Sequence, residues 1–192
     1  MRNLVYYVGV SIDGYIAGPR GEFDFYPDIT SWITAEYPET VPTHMRSQLG
    51  IDAPNRHFDT VVMGKGTYQP ALDLGVTSPY QHLRQYIVST SLPEIDDPRV
   101  EVVRADPGGL VQELKKEDGP DIWLCGGGML AGALLPHIDE LIVKHYPVIA
   151  GDGVSAFTGA FQPTLFTPTR SQSFGNGTTV SWYARTGSRT LG

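Results

Sequence analysis

Three short segments of the sequence place glycines, hydroxyls and a lysine directly after apolar runs. They are WLCGGGML, with Gly126, Gly127 and Gly128; VVMGKGTY, with Gly64, Lys65 and Thr67; and IVSTSL, with Ser89, Thr90 and Ser91. Backbone N–H groups at a helix start are unpaired and attract anions, and glycines let a ligand approach them closely. A nearby ammonium and hydroxyl suit a phosphate group. Each segment alone is also typical of a tight turn or a helix cap, but together they favour a ligand that carries phosphate.

The glycine triplet differs from the two common nucleotide-binding loops. A P-loop continues with Gly-Lys-Ser or Gly-Lys-Thr, whereas Met129 and Leu130 follow here. The G-x-G-x-x-G fingerprint of the Rossmann fold lies early in its domain, whereas this triplet follows four predicted strands. The sequence therefore argues against an ordinary NAD-linked Rossmann dehydrogenase.

The elements that must position these residues alternate between strands and helices. Near-continuous apolar runs predict buried strands at 3–10, 59–64, 85–90, 100–105 and 121–126. The patterns at 107–119 and 127–138 predict helices. Such alternation builds a largely parallel sheet, and the Asn-Gly turn within 169–185 predicts an antiparallel hairpin at its end. Asp13 in SIDG predicts a turn.

Composition predicts one globular domain over residues 1–192. Hydrophobic residues make up 41% and charged residues 18% of the chain, which is too apolar for a disordered protein. The formal net charge of −7 argues against a nucleic-acid partner, because nucleic-acid binders present a basic face. We therefore expect a small-molecule partner.

The few reactive or targeting features point to a cytoplasmic protein without a metal site. Cys125 is the only cysteine, so no intramolecular disulfide can form, as is typical of a reducing compartment. The five histidines lack the spacing of metal ligands. We find neither a signal-peptide pattern nor a run approaching ~18 apolar residues, so we expect no membrane segment.

Taken in order along the chain, the motifs resemble the dihydrofolate reductase superfamily. They are SIDGYIAG, VVMGKGTY, IVSTSL, WLCGGGML and IDELIVKHYPVIAGDGVSAF. The resemblance is to the branch that contains the reductase domain of the bifunctional riboflavin-biosynthesis protein and its stand-alone homologues. It implies a three-layer α/β fold with a mostly parallel central sheet of about eight strands, an antiparallel C-terminal hairpin and helices on both faces. It also implies NADPH as the cofactor and a homodimer.

The resemblance assigns cofactor roles to residues at the strand ends. The glycine triplet, flanked by Cys125 and Met129, would hold the pyrophosphate, with a cis peptide bond between Gly126 and Gly127. The 2′-phosphate and adenine end would be surrounded by Gly64, Lys65, Thr67, Ser89, Thr90 and Arg104. The nicotinamide would meet the backbones of Val8, Gly9, Ile16 and Ala17. Many members have arginine where Lys65 stands, so this position keeps the charge but loses the planar fork.

A carboxylate in the loop at 18–32 is the predicted proton donor, since folate reductases bind their pterin through a carboxylate in this region. Asp24 is the candidate catalytic residue because its neighbours Phe23 and Phe25 would raise its pKa. Asp28 is a second candidate, although it also suits the cap of a helix beginning near Ile29. Tyr7, Phe25, Asp28 and Tyr68 are the predicted substrate contacts.

Two functions follow from these residues. The first is an NADPH-dependent reductase that transfers a hydride to a small heterocyclic substrate resembling a pterin, a folate or a riboflavin precursor. Ala131 stands where folate reductases have an aromatic residue, and Tyr7 stands where the riboflavin enzyme often has a substrate-contacting lysine, so neither substrate is favoured. The alternative is a non-catalytic nucleotide-binding module of the same fold that senses or sequesters a ligand.

Overall fold

The apolar runs pair side by side in a central eight-stranded sheet. A computed structural model describes residues 1–187 of the chain. The strands of this sheet are β1 (Leu4–Val10), β3 (Phe58–Gly64), β4 (Arg84–Val88), β5 (Val100–Val103), β6 (Asp121–Gly126), β7 (Glu140–His145), β9 (Phe166–Ser173) and β10 (Thr179–Arg185). Two short strands, β2 (Tyr15–Ala17) and β8 (Val154–Ser155), pair separately. The helices are α1 (Thr30–Glu36), α2 (Thr43–Arg46), α3 (Lys65–Asp73), α4 (Pro107–Lys116) and α5 (Gly128–Leu134), with short 3-10 turns at Pro38–Thr40 and Leu135–His137.

The strand order confirms the predicted fold. It reads β5-β4-β3-β6-β1-β7-β10-β9, and the pairs from β5 to β7 are all parallel. The pairs β7–β10 and β10–β9 are antiparallel, as the hairpin signal predicted. The predicted strands are present, although they are shorter than expected at Asn3, Thr90 and Ala105.

Alternate residues of the central strands enter one of two hydrophobic cores. On β1, Val5 and Tyr7 face the layer that holds Trp123, whereas Leu4 and Tyr6 face the opposite layer. Helices α4 and α5 cover the second layer, and α3 and the segment around α1 cover the first. Burial on both faces explains why the central strands are apolar throughout.

Among residues 1–187, no helix is both long and apolar enough to cross a membrane. In the same range, no cluster of three or more histidine, cysteine or acidic side chains is suited to a metal ion.

Candidate functional site

Two helices begin side by side at the carboxyl ends of neighbouring strands. Helix α3 follows β3 and α5 follows β6, with Gly64 and Gly127 as their N-cap residues. Neither N-cap has a side-chain hydrogen bond, whereas Asp106 caps α4 by accepting a bond of 2.8 Å from the N–H of Gly109. A Cβ placed on Gly64 would lie 3.6 Å from the backbone N of Gly127, so the two uncapped starts are adjacent. Their first N–H groups, which have no partner within the helices, lie at the edge where the sequence predicts a phosphate-carrying ligand.

The three glycines of the triplet differ in what a side chain would meet at each position. Gly126 has φ +118, a backbone conformation that other residues rarely adopt, and its peptide bond to Gly127 is cis, as expected. A side chain on Gly128 would collide with the carbonyl oxygen of Ser155, because β8 packs against this turn. Only Gly127 faces open space, where a Cβ would meet just the hydroxyl oxygen of Thr67, at 3.7 Å. The triplet therefore serves a turn and packing, both of which the sequence allowed, and it leaves open space in front of Gly127.

The loop after β4 brings a lysine and hydroxyls together. Lys65 Nζ lies 3.1 Å from Ser91 Oγ and so joins the ends of β3 and β4. Ser89 is buried, and its Oγ accepts hydrogen bonds from the N–H groups of Ser91 and Leu92. The Ser89 hydroxyl thus shapes the loop, and its contact with the cofactor stays a prediction. Thr90, in contrast, is exposed.

Arg104 lies on the far side of the same loop. Its guanidinium donates to the carbonyl oxygen of Leu92 and to the Glu94 carboxylate, both at 2.8 Å. These two bonds hold the planar group against the loop, beside the segment that carries Thr90 and Ser91. The position suits stacking on a flat ring, because the face of a guanidinium stays free when its edge is bonded.

The residues assigned to the nicotinamide lie at the junction of β1 and β2. Val8 and Gly9 are near the carboxyl end of β1, and Ile16 and Ala17 belong to β2. The structure thus brings together two segments that the sequence predicted to meet one ligand.

Asp13 holds the turn between these strands in place. Its carboxylate accepts hydrogen bonds from Ser11 Oγ at 2.6 Å and from the N–H groups of Ala150 and Gly151 at 3.0 and 2.8 Å. These bonds lower the pKa of Asp13 to about 2. The predicted turn is confirmed, and the carboxylate stays charged and engaged in these three hydrogen bonds.

Asp24, the predicted catalytic acid, is exposed rather than shielded. Phe23 is 67% exposed, so the apolar surroundings inferred from the neighbouring phenylalanines do not form. The reason is that neighbours in a loop need not converge in space. The assignment of Asp24 as the proton donor therefore loses its physical basis.

Two of the predicted substrate contacts, Asp28 and Tyr68, have structural roles. Asp28 is exposed, and its Oδ1 accepts a 2.7 Å bond from the N–H of Thr30 at the start of α1, which lowers the pKa of Asp28. Tyr68 is fully buried and donates its hydroxyl hydrogen to the carbonyl oxygen of Thr77. Phe25 is partly buried against Tyr26, with ring centroids 4.5 Å apart.

Tyr7 is buried, in surroundings that the sequence did not reveal. Its hydroxyl is buried without a hydrogen-bond partner, and Lys144 Nζ lies 3.8 Å from the centre of its ring. Burial lowers the pKa of Lys144 to about 8 and raises that of the neighbouring Cys125 thiol to about 12. The sequence did contain a signal for the burial of Lys144, because this lysine interrupts the apolar run ELIVKHYPV. It lies two residues after the buried Ile142 and therefore on the same face of the strand.

Comparison with known proteins places this arrangement in a family. A model of the RibD C-terminal domain matches residues 2–180. The chain belongs to the RibD C-terminal domain family. This family corresponds to the reductase domain of riboflavin biosynthesis and uses a nicotinamide cofactor. The predicted family and its reductase-type character are thus confirmed.

Solved structures show the same fold. A putative riboflavin biosynthesis protein from Shewanella sp. PV-4 superposes with a TM-score of 0.70 and 24% identity, covering 97% of this chain and 99% of that one. The diaminohydroxyphosphoribosylaminopyrimidine deaminase/5-amino-6-(5-phosphoribosylamino)uracil reductase of Thermotoga maritima gives a TM-score of 0.65 at 16% identity. The match covers 96% of this chain and 57% of the Thermotoga protein.

Two Bacillus subtilis (strain 168) proteins are similar in sequence. The uncharacterized protein YwjB is 28% identical over 158 residues, which cover 81% of this chain and 83% of YwjB. The uncharacterized protein YyaP is 24% identical over 189 residues, with coverage of 92% and 91%.

Proposed function

We propose that this RibD C-terminal domain protein is an NADPH-dependent reductase that transfers a hydride to a small heterocyclic substrate. The observation that carries the proposal is the pair of adjacent uncapped helix starts at Gly64 and Gly127, in a chain whose family uses a nicotinamide cofactor. Two uncapped starts leave several N–H groups for one polyanion, and a pyrophosphate has the charge to use them.

The residues at the strand ends fit such a cofactor. The open space in front of Gly127 allows a pyrophosphate to reach backbone N–H groups, and Thr67 Oγ1 borders that space. Thr67 therefore suits the pyrophosphate better than the 2′-phosphate. Lys65 and Ser91, which are already within 3.1 Å of each other, suit the 2′-phosphate. The free face of the Arg104 guanidinium suits the adenine.

A bound NADPH supplies the hydride. The protein's own contribution at this end is alignment and exclusion of water. The backbones of Val8, Gly9, Ile16 and Ala17 would orient the nicotinamide, and the aromatic pair Tyr26 and Tyr146, whose rings stack at 4.3 Å, would cover it.

For the substrate we propose a flat pterin-, folate- or riboflavin-precursor-like ring. Tyr7, Trp123 and Tyr146 are buried in the same layer of the core, and the partly buried rings of Tyr26, which packs against that layer, and Phe25 offer flat apolar surface. The printed name of the Thermotoga protein includes a uracil reductase, which supports the pyrimidine members of this class.

Titration with NADPH tests the cofactor. Energy transfer from the tryptophans to the reduced nicotinamide should saturate at micromolar NADPH, with weaker binding of NADH because NADH lacks the 2′-phosphate. Oxidation of NADPH should then be followed with dihydropterin, dihydrofolate and aminopyrimidine substrates. No binding at millimolar NADPH would refute the proposal.

The exposed Asp24 favours one alternative, a non-catalytic module that binds a nucleotide to sense or sequester a ligand. This alternative predicts saturable NADPH binding without oxidation by any compound of the panel. The reductase predicts turnover with at least one of them.

A further inference from the structure

Lys144 is a partly buried cation without an anionic partner. Within residues 1–187 its ammonium makes no salt bridge and no hydrogen bond, and its contact is with the face of the Tyr7 ring at 3.8 Å. A neutral side chain of similar length would fill this place without the cost of desolvating a charge. A lysine here therefore suggests a use for the charge beyond packing.

The groups around Lys144 do not supply a negative charge near neutral pH. Burial raises the pKa of Cys125, Tyr26 and Tyr146 to about 12, and it also raises the pKa of Tyr7 well above its ordinary value. These side chains come from β6, from the loop before α1, from the end of β7 and from β1. The buried Glu39 carboxylate also acts on Tyr7, but it accepts hydrogen bonds from the N–H groups of His57 and Phe58 and forms no salt bridge with Lys144.

The position of Lys144 in the sheet brings it to the end of the site where the nicotinamide is proposed to bind. Lys144 pairs with Gly9 in the register of β7 and β1, and its Cε lies 3.7 Å from the place that a Gly9 Cβ would occupy. Gly9 belongs to the segment proposed to contact the nicotinamide. Because Gly9 lacks a side chain, the lysine stem can lean across β1 toward Tyr7.

We propose that Lys144 is a catalytic residue whose ammonium binds the heteroatom of the substrate's reducible C=N or C=O bond and protonates it. This proposal rests on the reductase function proposed above. It assigns the proton-donating role to β7 instead of the loop that holds Asp24. It also specifies the substrate, which must present a ring nitrogen or carbonyl oxygen as an acceptor above Tyr7.

The step balances in atoms and electrons. As the hydride adds to carbon, the π electron pair moves to the heteroatom, which takes a proton from Lys144 Nζ and forms a new N–H or O–H bond. Lys144 is left as a neutral amine and regains a proton from solvent, which its partial exposure allows. A pKa near 8 suits this exchange, because both forms are accessible near neutral pH.

Ligand binding without the cofactor provides a test that does not depend on activity. Calorimetric titration with 7,8-dihydropterin and with 5-aminouracil at pH 8, in buffers of different ionisation enthalpy, measures the protons taken up. An acceptor on the ammonium raises its pKa, so wild-type protein should take up as much as about half a proton per ligand. Lys144→Met should take up none and bind about tenfold or more weakly. Lys116→Met, which removes an exposed lysine on α4, is the matched control and should behave as wild type.

For a probe that binds, the rate of single-turnover reduction then distinguishes an effect on binding from an effect on proton donation. The wild-type rate should fall as the pH rises through the pKa of the ammonium in the complex, which the bound acceptor raises above that of the free protein. Lys144→Met should lower the rate about a hundredfold or more and abolish that pH dependence. Lys144→Arg should restore the affinity but not the rate, because a guanidinium keeps its proton.

The outcomes distinguish this proposal from the one on which it rests. Failure of all variants to bind NADPH, with proton uptake intact, would refute the reductase and leave Lys144 as the ligand-binding cation. NADPH binding and turnover that persist unchanged in Lys144→Met would support the reductase and overturn the role of Lys144. Absence of probe binding at millimolar concentration would also overturn it.

Discussion

Replacing Lys144 by methionine should stabilise the protein at neutral pH. Burial lowers the pKa of Lys144 from 10.5 to about 8, so at pH 7 the folded protein holds a charge that the unfolded chain solvates better. The gap between these pKa values corresponds to about 3 kcal/mol. The contact of the ammonium with the Tyr7 ring offsets about 1 kcal/mol of this cost. Methionine fills similar space without charge, so we expect the free energy of unfolding to rise by about 2 kcal/mol.

The gain in stability from Lys144→Met should become smaller as the pH rises. Below pH 8 both the folded and unfolded states hold the proton, so the full cost is present in wild type. Between pH 8 and 10.5 the unfolded chain binds more protons than the folded protein, and wild-type stability therefore rises with pH relative to the variant. Above pH 10.5 both states are neutral at this position and the advantage of the variant should be lost.

Urea unfolding followed by tryptophan fluorescence at pH 7, 9 and 10.5 measures this difference. Lys116→Met serves as the control, because its side chain is 65% exposed and its replacement should change stability little at any pH. A Lys144→Met variant that is less stable at pH 7, or a difference independent of pH, would show that the ammonium is well accommodated and would refute the reasoning.

Other substitutions separate the roles of the strand ends. Gly127→Val should weaken NADPH binding about tenfold or more with little change in Tm, because a side chain there enters open space. Gly128→Ala should lower Tm by several degrees, because its Cβ would collide with Ser155. Melting curves and NADPH titrations measure both effects. Lys65→Met should weaken NADPH about tenfold to a hundredfold and NADH little, and equal losses would contradict a contact with the 2′-phosphate. Asp24→Asn should leave NADPH oxidation within about twofold of wild type, because surface carboxylates contribute little. Light scattering after size-exclusion chromatography should show a homodimer, and a monomer at every concentration would contradict that expectation.

The fold could be predicted because its strands are covered on both faces. A strand such as β6 must be apolar at almost every position, and that pattern is visible without knowledge of its neighbours. The short strands β2 and β8 lack such a pattern, since two or three residues carry no period. Their pairing depends on contacts between distant segments.

The candidate site could be predicted at positions where the backbone itself would contact a ligand. It could be predicted less well where the role of a residue depends on the surroundings of its side chain. Glycines at the ends of β3 and β6 are readable because strand ends meet at one edge of a parallel sheet. The environment of Asp24 was inferred wrongly, since adjacent phenylalanines in a loop do not fix where the carboxylate lies. Lys144 was missed because a lysine is normally a surface residue, and only the sheet order reveals that both sides of β7 are enclosed.

The central place of β1 has a consequence for biosynthesis. This strand leaves the ribosome before the other strands of the sheet, yet both of its neighbours, β6 and β7, are encoded far downstream, and Val5 pairs with Trp123 on one side and Glu140 on the other. The nascent chain must therefore carry an unpaired apolar strand until β6 and β7 have been made, and such exposed segments are prone to aggregate. Slower translation upstream of β6 should lengthen that interval and increase the need of the newborn chain for chaperones.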